Sequence, residues 1–509
     1  MHPAHPILIS VLLLCNGCLP ATRGSSSAAV QDTVPDTLVT VSPEPIDLTL
    51  PDTCFPSVGS VTFDITVFDT LHHPDLENFD DPYLPSAGKD VLTFRGNHYR
   101  NGRFGGHVSG QPTRIVTNWV FKTDYDKRET NVGQWGGGTG WTGQPLLSDS
   151  MVICSSLCSK VYCIDYETGK ALRPSIDVHN PIKGTAMLDP ADHNRLYVGQ
   201  GAAAEKPWGC LTIDLAKGKI IHFFGEDRRA WRGWGAYDSS PLRAAQFVFR
   251  PAENGTLYKW YVQNDTILLH STLRYKVRGI APGMEASMVI YRNYGFTADN
   301  RGNILCTNLN TMRPVWWYDN HDDTDASLVL EEEDGIPYLY SGCEVDKQGD
   351  KGFCYLVKLN ALTGEKVWEN AIACRKVPRG EKVTEGGMFA TPLPGEGNCS
   401  DLLFVCCITN TPAHHGDFMA IDKQTGTTRY AVHLDYYPWM SPVGFLNENN
   451  EQFVVAGDSQ GRLYLIKGDT GEILFKSVLG DNFESSPAVR DNCFVVGSRG
   501  LNIYKFSVE

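Results

Sequence analysis

Three groups of residues in this chain are of types that do chemistry. Cys406-Cys407 is a vicinal thiol pair. His414-His415 lies in Thr409-Asn-Thr-Pro-Ala-His-His-Gly416. Carboxylates recur at one place in a repeated phrase that runs Asp238-Ser-Ser-Pro241 and Glu484-Ser-Ser-Pro487, with Glu285 and Asp325 at equivalent positions. Gathered carboxylates raise one another's pKa unless a cation or donor offsets them. An oxygen-rich cluster suits a hard cation such as Ca²⁺, or a cationic or polyhydroxylated ligand beside an aromatic ring. The same acids also suit a local role, capping their own Asp-Ser-Ser turns and facing water. The cysteine pair sits inside the apolar run Leu402-Leu-Phe-Val-Cys-Cys-Ile408, where strand alternation sends the two thiols to opposite faces. Two adjacent histidines rarely share a metal, so His414-His415 reads as a solvated loop, and Glu331-Glu-Glu-Asp334 as a solvated hairpin tip. No Ser, His and Asp set can be assigned as a catalytic triad.

A repeat positions the acids. An alternating strand leads into Asp-x-x-Thr-Gly, or a relic of it, and then a short strand bearing an aromatic. The copies are Tyr162-Cys-Ile-Asp-Tyr-Glu-Thr-Gly169, Leu211-Thr-Ile-Asp214, Leu356 to Trp368, Met419 to Tyr430 and Tyr464 to Phe475. Degenerate copies end at Leu269 and at Trp316-Trp317. This is a hairpin signature. Gly takes the left-handed turn position, Asp and Thr side chains bond turn backbone, and the aromatic packs onto the neighbouring sheet. The opening phrase aligns eight starts: Thr142, Lys183, Asp238, Glu285, Asp325, Phe389, Trp439 and Glu484. Their mean spacing of about 49 residues fits a four-stranded propeller blade. The last unit lacks its edge strand, and Thr117-Asn-Trp-Val-Phe-Lys122 is an unpaired edge-type strand ahead of the first unit. The two complete one another. The expected fold is all-β: an eight-bladed β-propeller of four-stranded antiparallel blades, closed by an N-terminal strand and spanning 93–509.

In such a ring the innermost strands line the axis, so the eight aligned positions converge on one mouth. Asp238, Glu285, Asp325 and Glu484 are the expected metal ligands. Lys183, Trp439 and Thr142 are the expected cofactor or ligand contacts, with Phe389 completing the set and Trp141 and Glu385 close by.

The Asp-x-x-Thr-Gly-x-x-x-Trp repeat resembles the propeller repeat of proteins similar to the pyrroloquinoline quinone (PQQ) enzymes. That resemblance covers 93–509. Three groups share the repeat: alcohol and glucose dehydrogenases that bind PQQ and calcium, a lipoprotein scaffold of the outer-membrane protein assembly machinery, and many exported proteins of undefined role. Phe94-Arg-Gly-Asn97, Gly138-Thr-Gly-Trp-Thr-Gly-Gln-Pro145, Lys183-Gly-Thr185, Asp322-Asp-Thr-Asp-Ala-Ser327 and Glu484-Ser-Ser-Pro-Ala-Val489 resemble the third group. The vicinal cysteines resemble the disulfide ring of the dehydrogenases. There is no c-type haem motif, no dehydrogenase-type calcium set and no sequence outside the propeller for an electron-transfer domain. The expectation is therefore a non-enzymatic binding or scaffold module for a protein or glycan, with Ca²⁺ as a candidate ion. The alternative is a PQQ- and Ca²⁺-dependent oxidoreductase using the axial mouth.

The apolar run Ile7–Cys15 is too short for a membrane span and fits a signal peptide over 1–17. Gly17-Cys18 resembles a lipoprotein cleavage site, with Cys18 as the lipidated residue. Residues 18–92 read as a lipid-anchored linker and N-terminal arm, Ser/Thr/Pro-rich as far as Pro51. Val61-Thr-Phe-Asp-Ile-Thr-Val-Phe68 alternates and suits either a strand laid on the propeller or part of an extended arm. These features predict a monomeric bacterial envelope lipoprotein. The net charge of −14 argues against nucleic-acid binding. An exported protein can form disulfides, and Cys154/Cys158/Cys163, Cys343/Cys354 and Cys399/Cys406/Cys407 are clustered; small core residues are the equal alternative.

Overall fold

The computed structural model describes residues 56–84, 89–379, 382–411 and 415–509. The predicted signal peptide, Cys18, most of the linker and His414 lie outside the described residues. Among the described residues no helix is long and apolar enough to cross a membrane.

Each repeat folds as one antiparallel sheet of four strands, consecutive in the chain except in blade 5, where the short strand Glu344–Val345 intervenes, and in blade 8. Blades 1 to 7 occupy 146–177, 187–224, 242–277, 289–319, 329–375, 393–434 and 443–478. Blade 8 is built from 488–508 and the strand Ile115–Lys122, which pairs with Asn502–Val508. The closing strand is thus where the sequence puts it. Closure completes the last blade, so the ring ends without a half-built sheet. The strand Val61–Val67 lies antiparallel on the outer strand of blade 3, with Val61 opposite Val277 and Val67 opposite Ser271. Of the two readings of this stretch, the strand laid on the propeller is the one adopted.

The repeat's turn explains how blades lock together. In Asp422-Lys-Gln-Thr-Gly426, the Thr425 amide and hydroxyl both donate to Asp422 Oδ1, at 2.8 and 3.0 Å. Gly426 then sits at φ +74°, where a Cβ would meet the Trp368 ring of the preceding blade at 2.6 Å. The absence of a side chain lets that ring lie flat on the turn, and Trp368 Nε1 donates to the Lys423 carbonyl at 2.8 Å. Trp316 repeats the contact on Gly364 and the Ala361 carbonyl, as does Trp119 of blade 8 on Gly169 and the Tyr166 carbonyl of blade 1. The aromatic and the glycine are therefore one device shared between neighbouring blades. Burying such an indole contributes about 1.5–3 kcal/mol, and its hydrogen bond about 1 kcal/mol more.

Alternation fills the gaps between blades. On strand Leu402–Cys407, Cys406 packs with Phe404 and Tyr464 toward blade 7, while Cys407 packs with Val405 and Leu356 toward blade 5. The vicinal thiols face opposite ways, as alternation requires, and both are fully buried. The described cysteines from Cys154 to Cys493 are unbridged.

One mouth of the channel is plugged. Residues 91–108 run round the axis and bond to the innermost strands in turn: Val91 with Leu147, Leu188 to Leu92, Ile290 to His98, Leu330 to Tyr99 and Val108 to Leu446. Arg95 and Arg100 point inward and are fully buried. Arg100 donates to the carbonyls of Met288 (3.0 Å), Phe94 (2.6 Å) and Ser240 (3.2 Å); Arg95 donates to those of Pro442 (2.8 Å) and Pro392 (3.3 Å). Burial pulls the Arg95 guanidinium down to about 9. The Phe94-Arg-Gly-Asn97 phrase is therefore a stopper, and the open mouth at the strand starts is a blind cup.

Candidate functional site: an axial cup

The innermost strands all start at the open mouth, so the aligned positions gather there. Lys183, Asp325, Phe389, Trp439 and Glu484 line one cavity of about 460 Å³, together with Trp141. Thr142 does not line it. Its side chain is buried, its carbonyl accepts from Thr185 Oγ1 at 2.6 Å, and its neighbour Trp141 faces the cup instead. Asp238 and Glu285 stand behind Lys183 and do not line the cavity. His415 stacks on Tyr436 and is also absent from the lining.

The four predicted acids do not form one cation site; they fall into three environments. Asp238 and Glu285 are joined by Glu253, with carboxylate oxygens within 4.8 Å of one another. Lys183 occupies this group, its Nζ 3.3 Å from Asp238 and in contact with Glu285. Burial alone would lower the Lys183 pKa, but Asp238, Glu253 and Asp325 hold it above the usual lysine value. Asp325 belongs to a second group with Asp323 and Glu344, again within 4.8 Å. Burial first, and mutual repulsion second, push Glu344 and Asp323 well above the carboxylate range. Asp323 Oδ1, Asp325 Oδ1 and Glu344 Oε1 are buried without a hydrogen-bond partner. This second group suits a hard cation. Glu484 is different: Arg379 donates to it at 2.7 Å, Asn482 at 2.8 Å and Tyr437 at 3.3 Å, and Arg499 lies at 3.8 Å. Two guanidiniums already serve that carboxylate, so it is no metal ligand here.

Aromatic rings form the opposite wall. Phe389 stacks on Trp439 at 4.5 Å between centroids, and Trp141 meets Phe389 edge-on at 6.0 Å, its Nε1 donating to the Phe389 carbonyl. Arg379 lies 4.5 Å from the Trp439 centroid and Lys183 5.1 Å from that of Trp141. Trp439 Nε1 has no partner, although only 7% of the residue is exposed.

Sequence reasoning missed Glu253, Asp323, Glu344, Arg379 and Arg499. A signal existed for two of them. The second strand of each blade runs back to the mouth, so the residues just beyond it return there: Glu253 after Phe247–Ala252 and Arg499 after Cys493–Gly497. Glu344 follows the second strand of blade 5 at slightly longer range. Arg379 comes from an inserted hairpin, Val377–Arg379 with Lys382–Thr384, outside any repeat register. Glu331-Glu-Glu-Asp334 does end in a hairpin turn, with Glu332 and Asp334 exposed, but Glu331 is buried against Lys423 at 2.6 Å and Glu333 accepts from Lys358 at 2.6 Å.

No family model and no curated protein matches this sequence. Solved structures do match in fold. A europium-containing methanol dehydrogenase is 13% identical, with a TM-score of 0.58, over 83% of this chain and 99% of its own. The quinohemoprotein alcohol dehydrogenase from Comamonas testosteroni is 13% identical at 0.57, over 85% of this chain and 83% of its own. BamB from Moraxella catarrhalis is 13% identical at 0.52, over 77% of this chain and all of its own. The chain has the eight-bladed propeller fold these proteins share.

The cup does not fit a stacked planar quinone. One face of Trp439 carries Phe389 and the Arg379 guanidinium lies against the ring as well. The vicinal cysteines are in the walls between blades and face apart, so they cannot floor the cup.

Proposed function

We propose that this protein is a cell-envelope lipoprotein, anchored through Cys18, whose propeller is a binding module for a protein or glycan ligand seated in the axial cup. One observation carries the reading: the cup is blind, aromatic on one side and charged on the other, and holds buried polar atoms with no partner, including Trp439 Nε1 and Asp325 Oδ1. Concave sites with an apolar wall and a few convergent polar groups are the usual form of ligand pockets. The fold likeness to BamB supports a binding role, and the covered indole weighs against the quinone enzyme.

The test is a thermal-shift screen of the purified chain with Ca²⁺, with PQQ plus Ca²⁺, and with oligosaccharides and peptides, alongside a dye-linked alcohol and sugar oxidation assay. A binder that stabilises the chain, and loses its effect in W439A, is the expected result. Turnover with PQQ and Ca²⁺ would sink the binding-module reading. Anchoring is checked separately, by incorporation of labelled fatty acid into the wild type and its loss in C18S.

A further inference from the structure

The cup's charges are segregated. Going round the ring, blades 3 to 5 contribute Asp238, Glu253, Glu285, Asp323, Asp325 and Glu344, offset by Lys183 and Lys347. On the other side Arg379 and Arg499 share the single carboxylate Glu484. The aromatic wall of Trp141, Phe389 and Trp439 runs between these arcs. Of the acids from blades 3 to 5, Asp325 alone lines the cavity, with the others behind it, so one side of the cavity backs onto more carboxylates than cations and the other carries more guanidiniums than carboxylates.

We infer that the cup binds a zwitterionic ligand, a short peptide with free termini, whose ammonium meets Asp325 and whose carboxylate meets Arg379 and Arg499. This rests on the reading of the cup as the binding site and names its ligand class. Four points support it. Asp325 lines the cavity and its Oδ1 is buried and unpartnered, so the acidic side has accepting capacity that an ammonium would use. The planar guanidinium fork matches a carboxylate in a bidentate fashion. The Trp439 indole N–H, also buried and unpartnered, lies on the wall between the poles and can donate to a peptide carbonyl. A compact cavity of about 460 Å³ is roughly 10 Å across, the reach of two or three residues at roughly 3.3–3.6 Å each. A neutral sugar would leave the buried Asp325 Oδ1 without a charged partner, which costs affinity.

The experiment is isothermal titration of the detergent-solubilised full chain with Gly-Phe, its N-acetyl derivative, its C-terminal amide and the doubly capped form, in chelator-treated buffer. Gly-Phe should bind one to one, and each cap should weaken binding at least tenfold. In D325N the acetyl cap should cost little further; in the double variant R379Q R499Q the same should hold for the amide cap. Thermal unfolding of each variant confirms that it folds. Equal affinity for free and doubly capped peptide, or no saturable heat from any of the peptides, overturns the inference. If capped peptide or a neutral oligosaccharide binds instead and W439A abolishes it, the cup remains the site and only the zwitterion assignment falls. If binding survives in W439A, both fall.

Discussion

The two mouths of this propeller use arginine in opposite ways. At the plugged mouth, Arg95 and Arg100 have no exposed surface and direct their donors at main-chain carbonyls. At the open mouth, the Arg379 and Arg499 side chains keep 38% and 30% exposure and share one carboxylate. A buried guanidinium is tolerable when carbonyls receive its N–H groups, and removing it leaves those carbonyls orphaned. A half-exposed guanidinium is screened by water and contributes little to stability. The first pair therefore belongs to folding and the second pair is free for ligand.

The sharpest way to break this contrast is R100A. It should destabilise the chain by about 3–5 kcal/mol, or prevent folding, because it opens a cavity and strands several carbonyls; chemical denaturation measures it. G426A should follow, at roughly 2–4 kcal/mol, since the Cβ must take a left-handed φ and displace Trp368. A Gly426 variant of wild-type stability would show that the turn and indole are not coupled.

Acids of the Asp323, Asp325 and Glu344 group, at and behind the cup wall, should behave in reverse. E344Q should leave the ligand-free chain as stable as the wild type or raise its stability by about 1 kcal/mol, because it removes a buried carboxylate held beside Asp323 and Asp325. Millimolar Ca²⁺ should raise the wild-type Tm and not that of E344Q; a clear loss of stability in E344Q without ligand would mean the group is structural. The pH dependence has a defined sign. Burial, against the pull of its Tyr275 and Asn303 hydrogen bonds, raises the carboxyl of Asp299 to about 6, above the usual aspartate range. The folded state therefore takes up this proton before the unfolded state does, and stability rises as pH falls from 7 through 6 toward 4. Asp323, Asp325 and Glu344 are raised too and act in the same direction. Tm measured between pH 7 and 5 should climb, and D299N should flatten part of that slope. The smallest effect is R379Q, within about 0.5 kcal/mol, as expected for a partly exposed ion pair.

Much of the architecture was legible because a repeat states it many times. Asp422, Thr425, Gly426 and Trp368 each have counterparts in other blades, so blade count, closure and inter-blade packing could be read from spacing alone. The convergence of Lys183, Asp325, Phe389, Trp439 and Glu484 followed from the same register. What the register could not convey was pairing. Whether Glu484 faces a metal or an arginine depends on Arg379, which comes from an insertion unique to blade 5, and on Arg499, which lies beyond the second strand of blade 8. The plug was equally hidden: Phe94-Arg-Gly-Asn97 occurs once, and nothing local in it says that its arginine will meet the carbonyls of Pro392 and Pro442.

The pairing of Ile115–Lys122 with Asn502–Val508 also sets a timetable. On the ribosome, the closing strand emerges some 380 residues before its partner does. Until then the growing ring is an open arc with one bare edge, and the indole of Trp119, made early, already has its seat on blade 1 at Gly169. Blade 1 can thus hold the waiting strand in place for the last blade to find. A chain interrupted anywhere before residue 502 would present that strand unpaired, so truncation products should be recognised by what they stick to rather than by what they have lost.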